Sequence, residues 1–232
     1  MTVEVIAVTA MPEIGPGDDL AGLIADCAPD LRDADCLVVT QKIVSKAEDR
    51  LVAIDPDDPL SHKPLVERES VRVLRRRGQL VISETAHGFV CANAGIDLSN
   101  VARGQAALLP VDSDRSARRI RDRLRARTGL DVGVIVSDTF GRPWRRGVTD
   151  VAIGCAGIGA VVDLRGTSDA LGRELMVTEV AVADEIASAA DLVMGKAEGV
   201  PVAIVRGLDP SWFRRGSVRD EIVRDPADDL FR

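Results

Sequence analysis

A chain of 232 residues with 46% apolar side chains is long enough to bury a full core, as one large domain or two small ones. Its net charge of -7 repels nucleic acid and anionic membrane, and an aromatic content of 3% leaves no base-stacking surface. The start, MTVEVIAVTAM, lacks the cationic region of a signal peptide, and no apolar run approaches the ~20 residues of a spanning helix, so a soluble cytoplasmic protein is expected.

In chain order, VEVIAV (3–8) reads as a strand and DDLAGLIADCA as a helix, with Asp18 and Asp19 at its start and Leu20, Ile24 and Cys27 on one face. CLVVT (36–40) is a second strand, and Lys42 and Lys46 follow it four residues apart, on one side if a helix follows. The Pro- and Asp-rich stretch 54–64 is a surface loop. LVERESVRVLRRRG (65–78) places Leu65, Val66, Val71 and Leu74 at roughly helical spacing and ends in three arginines and Gly78, which predicts a helix. QLVISE (79–84) and AALLPV (106–111) read as strands, and residues 113–129 as a charged helix with a thin stripe of Ile120 and Leu124. VGVIVSD (132–138) is a buried strand, 177–195 a helix with Val182, Ile186, Ala189 and Val193 aligned, and VPVAIVRG (200–207) a last strand. Mixed strands and helices imply an α/β or α+β protein, with a main unit over 1–208 and an extension over 209–232.

Familiar sites are missing. No P-loop motif occurs, and GCAGIGA (154–160) lacks the third glycine of a dinucleotide-binding turn. The four cysteines are far apart and only His62 and His87 accompany them, which disfavours structural zinc and disulfides and leaves buried thiols. A lone His87 reads as structural and Trp144 as a packing anchor.

The strand at 132–138 instead ends in Asp138, followed by Thr139, Arg142, Arg145 and Arg146. An acid aimed from a strand end needs a cation, supplied by an arginine or a metal. VCANAGIDLSN (90–100) repeats the design, turning through Gly95 into Asp97, with Asn93, Ser99 and Asn100 nearby. Two carboxylates and a hydroxyl form a hard oxygen set suited to Mg²⁺ or Mn²⁺ beside a polyphosphate, and Lys42 and Lys46 are cations for its far side.

Taken together, MPEIGPGDDL, VVTQKIVSKAE, VCANAGIDLSN, VGVIVSDTFGRPWRRGVTDVAIG, GRELMVTEVAVADEIASAADLVMG and PVAIVRGL resemble the coenzyme F420-0:γ-glutamyl ligases, in order and across Val3 to Leu208. The resemblance implies an α+β fold of mixed sheets and helices, particular to that family, forming an intertwined homodimer. It implies GTP contacts at Met11, Pro12, Glu13, Ile14, Gln41, Lys42, Lys46 and Asn100, and in the loop Met194, Gly195, Lys196, Ala197, Glu198, Gly199 and Val200. Asp97, Asp138 and Thr139 match divalent-metal ligands for two ions, Mg²⁺ or Mn²⁺, with K⁺ a further candidate. Where such relatives carry an acid directly after MG, this chain has Lys196, which leaves Glu198 as the candidate for the second ion.

The implied reaction passes the γ-phosphoryl group of GTP to the terminal carboxylate of F420-0, and L-glutamate attacks the acyl phosphate. Lys42 and Lys46 would offset phosphate charge, and Arg142, Arg145 and Arg146 would recognise anionic groups of the deazaflavin or of glutamate. Two other readings stand beside it: a GTP- and metal-binding sensor dimer without ligation, and the ligase half of a longer bifunctional protein.

Overall fold

The computed structural model describes residues 2–230 as an α+β protein. In chain order the elements begin with β1 (Glu4–Ala7), α1 (Leu20–Cys27), β2 (Cys36–Thr40), α2 (Gln41–Ala47), β3 (Leu51–Ala53), α3 (Lys63–Glu69) and β4 (Ser70–Arg77). They continue through β5 (Leu80–Thr85), β6 (Val90–Ala92), β7 (Gln105–Ala107), α4 (Ser113–Thr128), β8 (Gly133–Arg142) and β9 (Arg145–Ala156). β10 (Val162–Asp163), β11 (Glu179–Val180), α5 (Val182–Met194), β12 (Val202–Arg206) and α6 (Val218–Glu221) complete the fold. Among the described residues no helix is long and apolar enough to cross a membrane.

A five-stranded sheet in the order β1-β12-β2-β8-β9 forms the centre. Within it β2 and β8 are parallel and the remaining neighbouring pairs are antiparallel. Strands sheltered on both faces need apolar residues at every position instead of alternate ones, and CLVV and GVIV supply them. Leu37, Val39, Val134 and Val136 pack against Ile24 and Leu124 from α1 and α4 on one face. Cys36, Val38 and Ile135 meet Ala187, Met194 and Val205 on the other. Gly154 permits α4 to approach β9, because a Cβ there would lie 2.2 Å from the Ser113 carbonyl carbon.

The segment 65–78 is not one helix. α3 stops at Glu69 and the chain becomes β4, paired antiparallel with β5 from Ser70↔Thr85 to Arg77↔Leu80. Gly78, at φ 57, is the left-handed residue of a two-residue hairpin turn and not a helix cap. Val71 and Val73 remain exposed on this small sheet, so no helical stripe faces a core. Arg72 instead finds Glu84 on the neighbouring strand, 3.2 Å away. A pairing partner overrides a weak helical pattern here.

β8 also runs beyond the predicted strand, to Arg142, and forms a long hairpin with β9 that was not expected. Its walls are buried up to Ser137 and open to solvent from Gly141 onward.

The segment after Leu208 packs against the main body. Val218 is fully buried, and the Asp114 carboxylate accepts hydrogen bonds from Val218 N at 2.9 Å, Arg219 N at 3.1 Å and Ser217 Oγ at 2.9 Å. Glu221 accepts the Ala160 and Val161 amides, both at 3.0 Å, and pairs with Arg214. All four cysteines are free, and three of them are buried.

Candidate active site

A cleft of about 760 Å³ opens where β2, β8 and β9 run out toward the loops after Ala7, Gly95 and Met194. α2 follows β2 without a break, so Lys42 and Lys46 lie one turn apart on the wall of this cleft. Asp97 enters from the opposite loop. Asn93, Ala94 and Gly95 all adopt positive φ, which turns the chain sharply after β6. Asp97 N then donates to Ala107 O at 2.9 Å and Ala107 N returns a bond to Asp97 O at 2.8 Å, pinning that backbone to β7. Asp138 stands on β8 opposite Val151, and Thr139 stands opposite Asp150, so β9 brings a further acid to the site.

The cleft thus unites Asp97, Asp138 and Thr139 with Met11, Pro12, Glu13, Ile14, Gln41, Lys42, Lys46 and Asn100, and with Met194, Gly195, Lys196, Gly199 and Val200. Ala197 and Glu198 lie in the same loop but are exposed and do not line the cleft. Arg142, Arg145 and Arg146 are exposed on the projecting part of the β8–β9 hairpin, which enters the cleft only at Val148 and beyond. His87 is outside it as well, stacked on Phe89 with Nε2 2.8 Å from Pro110 O.

Sequence reasoning missed Asp150 and Asp191. Asp150 is almost fully buried and accepts hydrogen bonds from Ser137 Oγ at 3.0 Å, Thr139 Oγ1 at 2.7 Å and Lys196 Nζ at 2.7 Å. Its signal, an acid between apolar residues in VTDVAIG, becomes legible only once that stretch is known to be a strand beside Thr139. Asp191 sits on α5 and meets Lys196 at 2.6 Å.

Five carboxyl groups line the cleft (Glu13, Asp97, Asp138, Asp150, Asp191) against three ammoniums (Lys42, Lys46, Lys196), a formal charge of 3 - 5 = -2 when every one is ionised. Each lysine already has an acidic partner: Lys42 with Asp97 at 2.7 Å, Lys46 with Glu13, and Lys196 with Asp150 and Asp191. Among the described residues Asp138 has no such ion-pair partner. Burial, reinforced by the charges of Asp97 and Asp150 and only partly opposed by the Thr139 amide and the charge of Lys42, pushes its pKa up to about 7. Asp97 lies the other way: burial works against its charge, but the bonds from Lys42 and Ser99 outweigh it and hold the carboxyl below its ordinary range.

This donor set fits a divalent ion. Among the described residues no three acidic, thiol or imidazole groups are close enough to hold one unaided. Asp97, Asp138 and the Thr139 hydroxyl offer hard oxygens at a place short of positive charge, as Mg²⁺ or Mn²⁺ with phosphate and water oxygens requires. A further donor waits nearby, since Gln41 Nε2 is buried without a hydrogen-bond partner while Gln41 Oε1 accepts from Ser45 Oγ at 2.8 Å.

The model of the F420-0:gamma-glutamyl ligase family matches residues 9–207. The chain belongs to this family. It is 46% identical to a coenzyme F420:L-glutamate ligase of Methanopyrus kandleri, over 95% of this chain and 94% of that one. A protein of the same name from Methanothermobacter thermautotrophicus is 43% identical over the full length of both. One from Methanocaldococcus jannaschii is 41% identical over 87% of this chain and 86% of its own. The family match takes in every wall of the cleft, from Met11 to Pro201.

Proposed function

We propose that this protein joins L-glutamate to coenzyme F420-0 through an amide bond, using GTP to activate the acceptor and releasing GDP and phosphate, with further γ-linked additions following. The observation that carries this reading is the gathering of Asp97, Asp138 and three lysines in one cleft of a family member, with a negative balance that a bare triphosphate would not enter. A divalent ion held by Asp97, Asp138 and Thr139 would supply charge neutralisation and orientation of the phosphates.

Carboxylate and amine do not condense unaided, because oxide is a poor leaving group. In the proposed sequence a carboxylate oxygen of F420-0 attacks the γ-phosphorus as the bond to the β-phosphate oxygen breaks, giving an acyl phosphate. The uncharged α-amine of glutamate then attacks the acyl carbon, phosphate leaves, and the amine proton passes to solvent or to a base. Lys42 and Lys46 turn from Asp97 and Glu13 toward the phosphates, where their charges oppose the build-up of negative charge. The Met11–Ile14 loop, tied to α2 by the Glu13–Lys46 pair, closes over the nucleotide together with Asn100. In this reading residues 1–208 form the ligase unit and 209–232 its extension.

Incubation with GTP, Mn²⁺, F420-0 and glutamate is expected to release GDP and to yield a product heavier by one glutamyl residue, read by mass spectrometry. GDP release without added mass, or no GDP at all, rejects the ligase and leaves a nucleotide-binding sensor. In the same assay, replacing Arg142, Arg145 and Arg146 singly by alanine is expected to raise KM for F420-0 or glutamate by about tenfold, the effect of one charge-assisted contact. Unchanged constants for all three substrates would remove the arginines from recognition.

The functional unit in this proposal is a homodimer. Leu171, Met176 and Val177 are each exposed on the excursion between β10 and β11, and exposed apolar side chains of that kind suit a second copy of the chain. Sedimentation equilibrium is expected to return twice the chain mass of 24.8 kDa, and a monomer at all concentrations would refute it.

A further inference from the structure

Lys196 is held differently from the other two lysines of the cleft. Its ammonium donates to Thr139 Oγ1 at 2.8 Å, Asp150 Oδ1 at 2.7 Å and Asp191 Oδ1 at 2.6 Å. An ammonium has three hydrogens, so all are used and none remains for a phosphate. The three oxygens come from β8, β9 and α5, elements set by the core and not by the lysine. Thr139 donates its own hydroxyl proton to Asp150, which turns an oxygen lone pair toward Lys196. Burial works against the ammonium, but Asp150 and Asp191 outweigh it and raise its pKa.

The backbone is built to deliver this group. Gly195 follows α5 at φ 61 and ψ -175, a region open to glycine almost alone, and it reverses the chain so that Lys196 reaches back to Asp191 on the preceding helix. The same turn carries Glu198 out of the cleft. Without the ammonium, two carboxylates and a hydroxyl would face one another, a hard-oxygen pocket of the kind that binds Mg²⁺ or Mn²⁺.

We propose that the Lys196 ammonium is a tethered cation of the active site, filling the oxygen pocket of Thr139, Asp150 and Asp191 and leaving Asp97 and Asp138, with the second lone pair of the Thr139 hydroxyl, as the place for a single divalent ion. Lys196 is then a positioning residue: it keeps the buried Asp150 neutralised and fixes the Thr139 hydroxyl beside the reacting phosphates. Its catalytic meaning rests on the ligase reading, but its ion count does not.

The test counts Mn²⁺ by electron paramagnetic resonance, with GDP present, in the wild type and in Lys196→Ala. One ion per chain is expected for the wild type and a second in the variant. Two ions in the wild type, or no gain in the variant, would overturn the proposal. Turnover of Lys196→Ala in sodium buffer is expected to fall about tenfold or more, because Asp150 loses its counter-charge and the Thr139 hydroxyl its fixed orientation, and to recover in ammonium or potassium buffer. Wild-type turnover should not change with the monovalent ion. A loss that neither ion restores would mark a merely structural lysine and also overturn the proposal. Lys196→Met, which keeps the apolar stem, replaces the alanine variant if that one does not fold. A wild type that adds no glutamate would sink the ligase reading alone, since the Mn²⁺ count still decides the role of Lys196.

Discussion

Asp138→Asn is expected to make the metal-free protein more stable while lowering ligase turnover by about 10³-fold, the loss typical of a principal electrostatic contact to the transition state. The carboxyl is half-buried, has no ion-pair partner among the described residues, and sits beside Asp97 and Asp150. Its pKa of about 7 in the fold lies above the ordinary aspartate value of 3.8, so the folded chain binds this proton more tightly than the unfolded chain. The corresponding contribution to stability is complete below about pH 4 and is lost as the pH rises through about 7. Roughly three pKa units set a ceiling of about 4 kcal/mol, and relaxation toward the lysines and water brings the expected gain nearer about 2 kcal/mol.

At about 2–4 °C per kcal/mol for a chain of this size, the asparagine variant should melt about 5 °C higher at pH 8 in chelator, and match the wild type near pH 4. Asparagine retains the oxygen that accepts the Thr139 amide, so the backbone need not move. Mn²⁺ should raise the melting temperature of the wild type only, and this effect should weaken below pH 7, where a proton competes for the carboxylate. A variant no more stable than the wild type at pH 8, or one that keeps Mn²⁺-dependent turnover, contradicts this account of Asp138.

Asp114→Ala is expected to destabilise the protein by about 3–5 kcal/mol, the range for leaving several buried donors without an acceptor. The carboxylate takes four hydrogen bonds: Cys155 N at 2.8 Å from β9, then Val218 N, Arg219 N and Ser217 Oγ from the C-terminal segment. It therefore joins α4, the edge of the central sheet and the last helix through one buried group. Alanine strands the Cys155 and Val218 amides in the interior, and the melting temperature should fall by about 10 °C or more. Cleavage by a protease should begin after Leu208 in the variant, before the central sheet opens. Asp114→Asn keeps one acceptor oxygen and should lie between the two. An alanine variant within about 1 kcal/mol of the wild type would show that the other contacts of the segment suffice to hold it.

The contrast between Asp138 and Asp114 shows what local pattern reveals. Both are acids at the margin of an apolar run. Asp138 could be singled out because the strand before it is continuous and a second segment, NAGIDLSN, repeats the same turn into an acid. Asp114 read only as part of a charged helix, since its partners lie 41 and 103–105 residues further along the chain.

The sequence by itself determined the elements whose cause is local. The apolar runs of β2, β8 and β12 demand a buried sheet, and Lys42 and Lys46 share a face because α2 has the period of a helix. Family membership and most of the cleft wall were legible in the same way, from contiguous stretches. Tertiary structure alone decided whether residues 70–77 became strand or helix, because their spacing suits both and only pairing with β5 separates them. It also decided that Asp150, Asp191 and Thr139 would enclose Lys196, and that Glu198 would stand outside. Those outcomes depend on hairpin register and on one glycine turn, where a shift of a single residue would face each side chain the other way.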